Sequence, residues 1–312
     1  MRPRTAVVTM AHGRHEHLEG QLWGLAQQSL QPDVFVAVAM DDPAVQDVVE
    51  RHALPAWSVR VTDVAATSSG LPLAAARNAG ARAATEAGAD RLVFLDVDCI
   101  PSAGLVARYA AVLGSRGPAC TEVGGRFDGG PVVACGEVGY LPPVRDPSDY
   151  RRQDLARLSR PHPARPSLTI DEVRPARDVT LFWSLSFALT SADWDAIGGF
   201  CEDYVGYGGE DTDFGQRLRA VGGTMLWVGG ATAYHQHHPS ASPPVQHLGA
   251  IVANANRFHR RWGWFPMGGW LAAFAELGLA ELDEDADQWR VVEAEEGARP
   301  GAPRQRLPLA RS

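Results

Sequence analysis

The stretch Arg91-Leu92-Val93-Phe94-Leu95-Asp96-Val97-Asp98 decides how this chain is read. An apolar run stops abruptly at two carboxylates one residue apart. Alternate residues of a strand share a face, so Asp96 and Asp98 can point together where the strand leaves its sheet. Hard oxygen ligands placed that way suit a Mg²⁺ or Mn²⁺ ion carrying a diphosphate. A second acidic pair lies far along the chain, on the glycine-rich turn Tyr207-Gly208-Gly209-Glu210-Asp211. A carboxylate on such a turn suits proton removal. The two clusters together point to metal-held phosphate chemistry with a separate base.

Upstream of the first cluster, Thr5 to Met10 reads as a strand and His15 to Ser29 as a helix with Leu18, Leu22, Leu25 and Ala26 on one face. Val34 to Met40 is a second buried strand, stopped by Asp41-Asp42-Pro43. A helix (Ala44 to Arg51), a short strand (Ser58 to Thr62) and a small-residue helix (Leu73 to Ala87) then feed the strand Arg91 to Leu95. This alternation defines an α/β chain with a mostly parallel central sheet and helical crossovers. Ligands of such sheets sit beyond the carboxyl ends of the strands, where Arg14, Asp41, Asp42, Asp96 and Asp98 fall.

Downstream the pattern loosens. A helix is expected over Ala103 to Leu113 and a strand over Val132 to Val138. Residues 142–177 are rich in proline and arginine and follow no clean period; a lid or acceptor-binding loop and a plain surface excursion are both open readings. Ser191 to Ile197 and Thr212 to Ala220 read as helices, the latter carrying Asp213 and Arg217 as an i,i+4 pair. Two short strands, Thr224 to Val228 and Ala231 to Tyr234, end at His235-Gln236-His237-His238. Ser242 and Pro243 are expected to open a helix running to Trp262. The cluster Trp262, Trp264, Phe265 and Trp270 reads as packing of the last helix, with a membrane-interface patch as the sharper alternative. Residues 283–312 are polar and are expected to fray.

Composition narrows the chemistry. At 312 residues and 45% hydrophobic, the chain can bury a full core. A net charge of −8 leaves no basic surplus for a nucleic-acid partner. Every basic side chain except histidine is arginine. Without lysine, P-loop phosphate binding, Schiff-base catalysis and pyridoxal chemistry are excluded. Cys99, Cys120, Cys135 and Cys201 lack CxxC spacing and read as small apolar core residues of a reduced, cytoplasmic protein, with peripheral membrane contact left open. No apolar run approaches the roughly 18 residues that span a bilayer.

A strand end of the Asp96-Val97-Asp98 kind occurs in haloacid-dehalogenase-type phosphatases, but there the motif sits on the first strand. Here it follows about the fourth and leads into Cys99-Ile100-Pro101. The segment Ala76-Arg77-Asn78-Ala79-Gly80, followed by Phe94-Leu95-Asp96-Val97-Asp98, instead resembles the GT-A-fold family 2 glycosyltransferases. Gly206-Tyr207-Gly208-Gly209-Glu210-Asp211-Thr212-Asp213, preceded by Phe182-Trp183-Ser184 and Gly198-Gly199-Phe200, resembles the carboxy-terminal region of β-1,4-galactosyltransferases. Gly13-Arg14-His15-Glu16-His17-Leu18 resembles their opening motif.

The resemblance implies a GT-A fold over residues 1–262, about 1–130 forming the nucleotide-sugar half and about 131–262 the acceptor half, with 263–312 as a carboxy-terminal helix and tail. It implies a metal-dependent, inverting transfer of a sugar from a nucleotide sugar, UDP-galactose or a UDP-N-acetylhexosamine being favoured, to a carbohydrate, glycolipid or small-molecule hydroxyl. The metal, Mn²⁺ or Mg²⁺, would sit on Asp98, Asp96 and a histidine, His235 being chosen over His237 and His238. Asp211 would be the base. Glu210, Tyr207 and Trp183 would hold the acceptor; Arg14, Asp41, Asp42, Arg77, Asn78 and Asp96 would hold the nucleotide. For Arg77 and Asn78, bracing of their own helix remains a second reading. A phosphohydrolase, or a silent binding protein of the same fold, is the alternative.

Overall fold

The computed structural model describes residues 2–114, 129–239 and 241–292. Cys120 and the tail beyond 292 lie outside the described residues. The first half runs β1 (Thr5–Ala11), α1 (His15–Ala26), β2 (Val34–Met40), α2 (Ala44–His52), β3 (Ser58–Val64), α3 (Leu73–Glu86), β4 (Arg91–Leu95), β5 (Cys99–Pro101), α4 (Leu105–Gly114). Then come β6 (Val132–Tyr140), α5 (Leu155–Leu158), β7 (Arg160–Pro161), β8 (Val173–Pro175), β9 (Ser186–Thr190), α6 (Ser191–Ile197) and α7 (Glu210–Ala220). The chain closes with β10 (Thr224–His235), α8 (Leu248–Trp262), α9 (Gly268–Glu276), β11 (Ala280–Asp283) and β12 (Gln288–Val291).

Strands β1 and β2 are buried at every residue, and both are predominantly apolar, with Thr5 and Thr9 in β1 as the polar members and no polar alternation. A strand covered by helices on both faces requires that composition. The sheet order is β3-β2-β1-β4-β9-β6-β10-β5. The first four strands pair in parallel; β9 is antiparallel to β4 and to β6. Side chains alternate between two cores. Val7, Phe35 and Val93 meet α1, α2 and α4 on one face. Val8, Val36 and Phe94 meet α3, α6 and α7 on the other. Helix α3 lies against the sheet closely enough that a Cβ on Gly80 would stand 2.4 Å from Val8 Cγ1, which accounts for the glycine two positions after Asn78.

Two pairings set up the site. The short strand β5, reached directly after Asp98, lies antiparallel on β10 and puts Cys99 opposite His235. Strand β4 ends beside β9, and the Asp96 N–H donates to the Leu185 carbonyl. Residues 96–98 are a turn rather than extended strand, closed by the Cys99 N–H on the Asp96 carbonyl.

Several sequence expectations change. The two strands expected at 224–228 and 231–234 are the single strand β10; Gly229 and Gly230 fall at a register shift between Val228 and Ala233 instead of ending it. Helix α8 begins at Leu248, not Ser242, because Pro243 and Pro244 keep the preceding residues out of helical geometry. Residues 142–177 carry regular structure rather than a loose excursion, and His162 within them lines the cavity described below. They form a 3₁₀ turn (Pro147–Arg152), α5, β7 and β8, and Tyr150 is buried with Ile100, Leu141 and Leu155. Part of the expected frayed tail is the hairpin β11–β12, fixed to α8 by paired hydrogen bonds between Asn256 and the Trp289 backbone. Among the described residues no helix is long and apolar enough to cross a membrane.

Candidate active site

The second acidic pair is delivered by a turn that only glycine can make. Gly206, Gly208 and Gly209 have φ of 75°, 93° and 91°, in the left-handed region where a Cβ is costly. A Cβ on Gly208 would also approach Met267 Sδ to 2.5 Å. Helix α7 starts at once with Glu210 and Asp211, so both carboxylates sit at the positive end of a helix. Asp211 Oδ2 accepts from the Ser184 N–H at 2.9 Å. Its Oδ1 is buried with no hydrogen-bond partner among the described residues.

The two clusters meet at Arg77. This guanidinium, only 3% exposed, stands 3.3 Å from Asp96 Oδ1 and 3.7 Å from Glu210 Oε1, over the Phe200 ring. One cation cannot offset three neighbouring carboxylates. Burial, with the charges of Asp98 and Asp211, pushes Asp96 up to about 7 despite Arg77. Burial and the charge of Asp211 likewise push Glu210 up to about 7.

Asp98 faces a different set of partners. Arg14 Nη1 donates to its Oδ2 at 2.6 Å, His235 Nε2 lies 3.5 Å from Oδ1, and His238 Nε2 lies 3.4 Å from Oδ2. Burial acts to raise this carboxyl, but the His238 hydrogen bond and the charges of His235 and Arg14 prevail and hold it down at about 2. The ligand atoms of Asp98, His235 and His238 all lie within 4.8 Å of one another. Adjacent ligands of an octahedral ion at about 2.1 Å are separated by about 3 Å, so the set is near the required spacing. Burial lowers His235 against the pull of Asp98, favouring the neutral imidazole that binds metal. The residues fit a divalent cation. Asp96, engaged with Arg77, stands outside this group, as does His237, whose backbone N–H donates to Tyr150 Oη.

The remaining predicted residues divide. Asp41 is exposed with φ of 53°, and Arg14 has φ of 50°; non-glycine residues held there are a recurrent mark of functional sites. Asp42 ties its loop to the neighbouring one after β1, accepting from Gly13 N at 2.7 Å and His15 Nε2 at 2.8 Å. Asn78 braces the Gly198-Gly199-Phe200 turn, donating to the Phe200 carbonyl and accepting from its N–H. Asp213 does not pair with Arg217. It is fully buried and accepts from Trp262 Nε1 at 2.8 Å, with Arg261 at 3.2 Å, because its face of α7 looks inward.

Asp96, Arg77, Glu210, Asp211, His235 and His238 open into one cavity of about 720 Å³, within the size range of small-molecule sites. Trp183 and Tyr207 line it, Tyr207 stacking on His247 at 4.7 Å. Sequence reasoning missed part of the wall: Tyr140 and His162, among others, also line the cavity, as do Trp264, Met267 and Trp270. Their aromatic clustering was the available signal, but nothing in its spacing relates Trp270 to Tyr207, which lies 5.7 Å away ring to ring.

Residues 164–239 match the family model described as the N-terminal domain of galactosyltransferase. Two curated relatives are named validoxylamine A glucosyltransferase. That of Streptomyces hygroscopicus subsp. limoneus is 30% identical over 275 residues, spanning 83% of this chain and 57% of its own. That of subsp. jinggangensis is 29% identical, with 83% and 61% covered. The chain thus spans about three fifths of the relatives' length. Solved structures of similar fold include S. aureus TarS (TM-score 0.53, 13% identity, 83% of this chain and 72% of that one) and GalNAc-T7 with UDP, GalNAc and Mn²⁺ (TM-score 0.53, 15% identity, 88% and 57%). The chain shares the GT-A fold of these solved structures, is similar over 83% of its length to the two named glucosyltransferases, and carries a galactosyltransferase-like segment in its second half.

Proposed function

We propose that this protein is a metal-dependent, inverting glycosyltransferase that moves a hexose from a UDP-sugar to the hydroxyl of a small polyhydroxylated acceptor. The observation that carries the reading is that one cavity is lined both by His235 and His238, which form a metal-ligating trio with the buried Asp98, and by Asp211, a carboxylate that keeps one oxygen without a hydrogen-bond partner among the described residues. The names of the curated relatives add glucose to the galactose and N-acetylhexosamine favoured by the motifs, and point to a small-molecule acceptor.

A divalent ion on the trio would offset charge on the departing diphosphate as a Lewis acid. Arg14, at the same carboxylate, would pair with phosphate oxygens, and Asp41 would accept from the nucleoside. Asp211 takes the proton from the acceptor hydroxyl as that oxygen bonds to the anomeric carbon. The bond from that carbon to the diphosphate breaks in the same displacement, and the nucleoside diphosphate leaves with the electron pair. Attack opposite the leaving group inverts the centre, with no glycosyl-enzyme intermediate. Tyr207, Trp183 and Trp270 supply flat apolar surface for an acceptor ring.

The test is a screen of UDP-sugars with Mn²⁺ or with chelator, measuring nucleoside diphosphate release with and without acceptor. Asp211→Asn is expected to lower kcat by about 10²- to 10⁴-fold while UDP–Mn²⁺ binding stays near native. Native transfer by that variant would refute the base assignment. Phosphate release without any sugar acceptor would favour the phosphohydrolase.

A further inference from the structure

The peptide group joining Trp183 to Ser184 is held at both ends. Its carbonyl accepts from Arg165 Nη2 at 3.2 Å, and its N–H donates to Asp211 Oδ2 at 2.9 Å. We propose that Arg165 is a positioning residue for Asp211, acting through this single peptide. The inference rests on the reading of Asp211 as the base.

Arg165 comes from the proline- and arginine-rich segment and is 9% exposed. Its guanidinium lies 4.8 Å from the Trp183 ring centroid and 5.3 Å from that of Trp227. Nη1 reaches the Gly136 carbonyl at 3.4 Å, and Nε has no hydrogen-bond partner among the described residues. No carboxylate pairs with it among those residues. A buried cation without an anion is costly to keep, and a thioether or aliphatic chain would fill the same slot between two indoles without that cost. The charge has an outlet, however. A cation on a carbonyl oxygen polarises the amide, and hydrogen bonds in such a chain strengthen one another. The Ser184 N–H then becomes a stronger donor to a carboxylate.

The arrangement separates the two oxygens of Asp211. Oδ2 is anchored by the peptide, and Oδ1 is buried without a hydrogen-bond partner among the described residues, in a side chain that lines the cavity. A base that must meet a hydroxyl at one defined angle benefits from such an anchor, because small misplacements cost large factors in rate. Trp183 is fixed by the same cation, so the aromatic wall and the base share one support.

Arg165→Met removes the charge and both hydrogen bonds yet keeps an apolar chain between the indoles. Its kcat is expected to fall about tenfold, with donor KM and UDP–Mn²⁺ affinity within about twofold of native, and Arg165→Lys should recover part of the loss. In an Asp211→Asn background, under single-turnover conditions, Arg165→Met should cost nothing further, since both changes remove the same function. A native kcat for Arg165→Met, or an equal tenfold loss in both backgrounds, overturns the proposal. If Arg165→Met shows no cooperative melt, Arg165→Gln, which can still donate to the Trp183 carbonyl without a charge, carries the same cycle: a smaller loss confined to the Asp211 background supports the proposal, and an equal loss in both refutes it. A native rate in Asp211→Asn alone would bring down the base assignment instead, so the two failures are told apart.

Discussion

Arg14 Nη1 lies 2.6 Å from Asp98 Oδ2, so a cation of the protein already rests on one oxygen of the carboxylate best placed to hold a metal. Oδ1 is left facing His235. Two cations on one carboxylate repel each other, and the repulsion is relieved when a diphosphate brings its own negative charge between them. Metal and nucleotide are then expected to bind as a unit.

Arg14→Met should therefore tighten Mn²⁺ binding in the absence of nucleotide, by about tenfold, while weakening UDP binding in the presence of Mn²⁺. An electron paramagnetic resonance titration of free Mn²⁺ reads the first effect and calorimetry the second. Unchanged Mn²⁺ affinity would mean that Arg14 and the ion do not compete.

The histidines should separate by position. Asp98→Ala, His235→Ala and His238→Ala are each expected to lose more Mn²⁺ affinity than the roughly 10- to 100-fold typical of an outer partner. His237→Ala should bind almost as the native protein does, its ring standing outside the trio. A large loss in His237→Ala with none in His238→Ala would reverse the assignment.

Glu210 makes stability depend on pH. Its folded value is pushed up to about 7 from an ordinary 4.5. Between those values the native state binds more protons than the unfolded chain, so this group's contribution falls as pH rises and is fully lost above about 7. Glu210→Gln should melt higher than the native protein at about pH 8 and converge with it near pH 4. Melting curves that differ equally at both ends would contradict the buried-acid account.

Asp213 should behave as a structural tie. Asp213→Ala leaves Arg261 and Trp262 Nε1 without their buried acceptor and is expected to cost about 3–5 kcal/mol, read as a lower urea midpoint. A midpoint within error of native would show that the carboxylate adds nothing to the docking of α8.

The parallel half of the sheet was legible because its strands are continuous apolar runs broken by acidic turns, and the run ending at Leu95 gave the position of Asp96 and Asp98. What the run could not carry was the turn at 96–98, whose hydrogen bond from Cys99 to the Asp96 carbonyl sends the two side chains to different partners. The Gly208-Gly209-Glu210-Asp211 turn was legible for the opposite reason, since a left-handed backbone leaves glycine as its trace. Three histidines in four residues could not be ranked from spacing. The ranking comes from β5 lying antiparallel on β10, a long-range pairing of a three-residue strand. Arg165 was hidden in a segment without period, where proline and arginine obscure the one side chain that turns inward.

Trp264, Met267 and Trp270 line the cavity from beyond residue 262, whereas Asp98, His235 and His238 all precede it. A chain cut at 262 would keep every group that handles the metal and the diphosphate but would stand open to solvent where the acceptor should lie. Water would then compete for the activated sugar, and the shortened protein would spend its donor by hydrolysis. On this view the last helix is a guard against waste, deciding that the sugar goes to the acceptor rather than to the solvent.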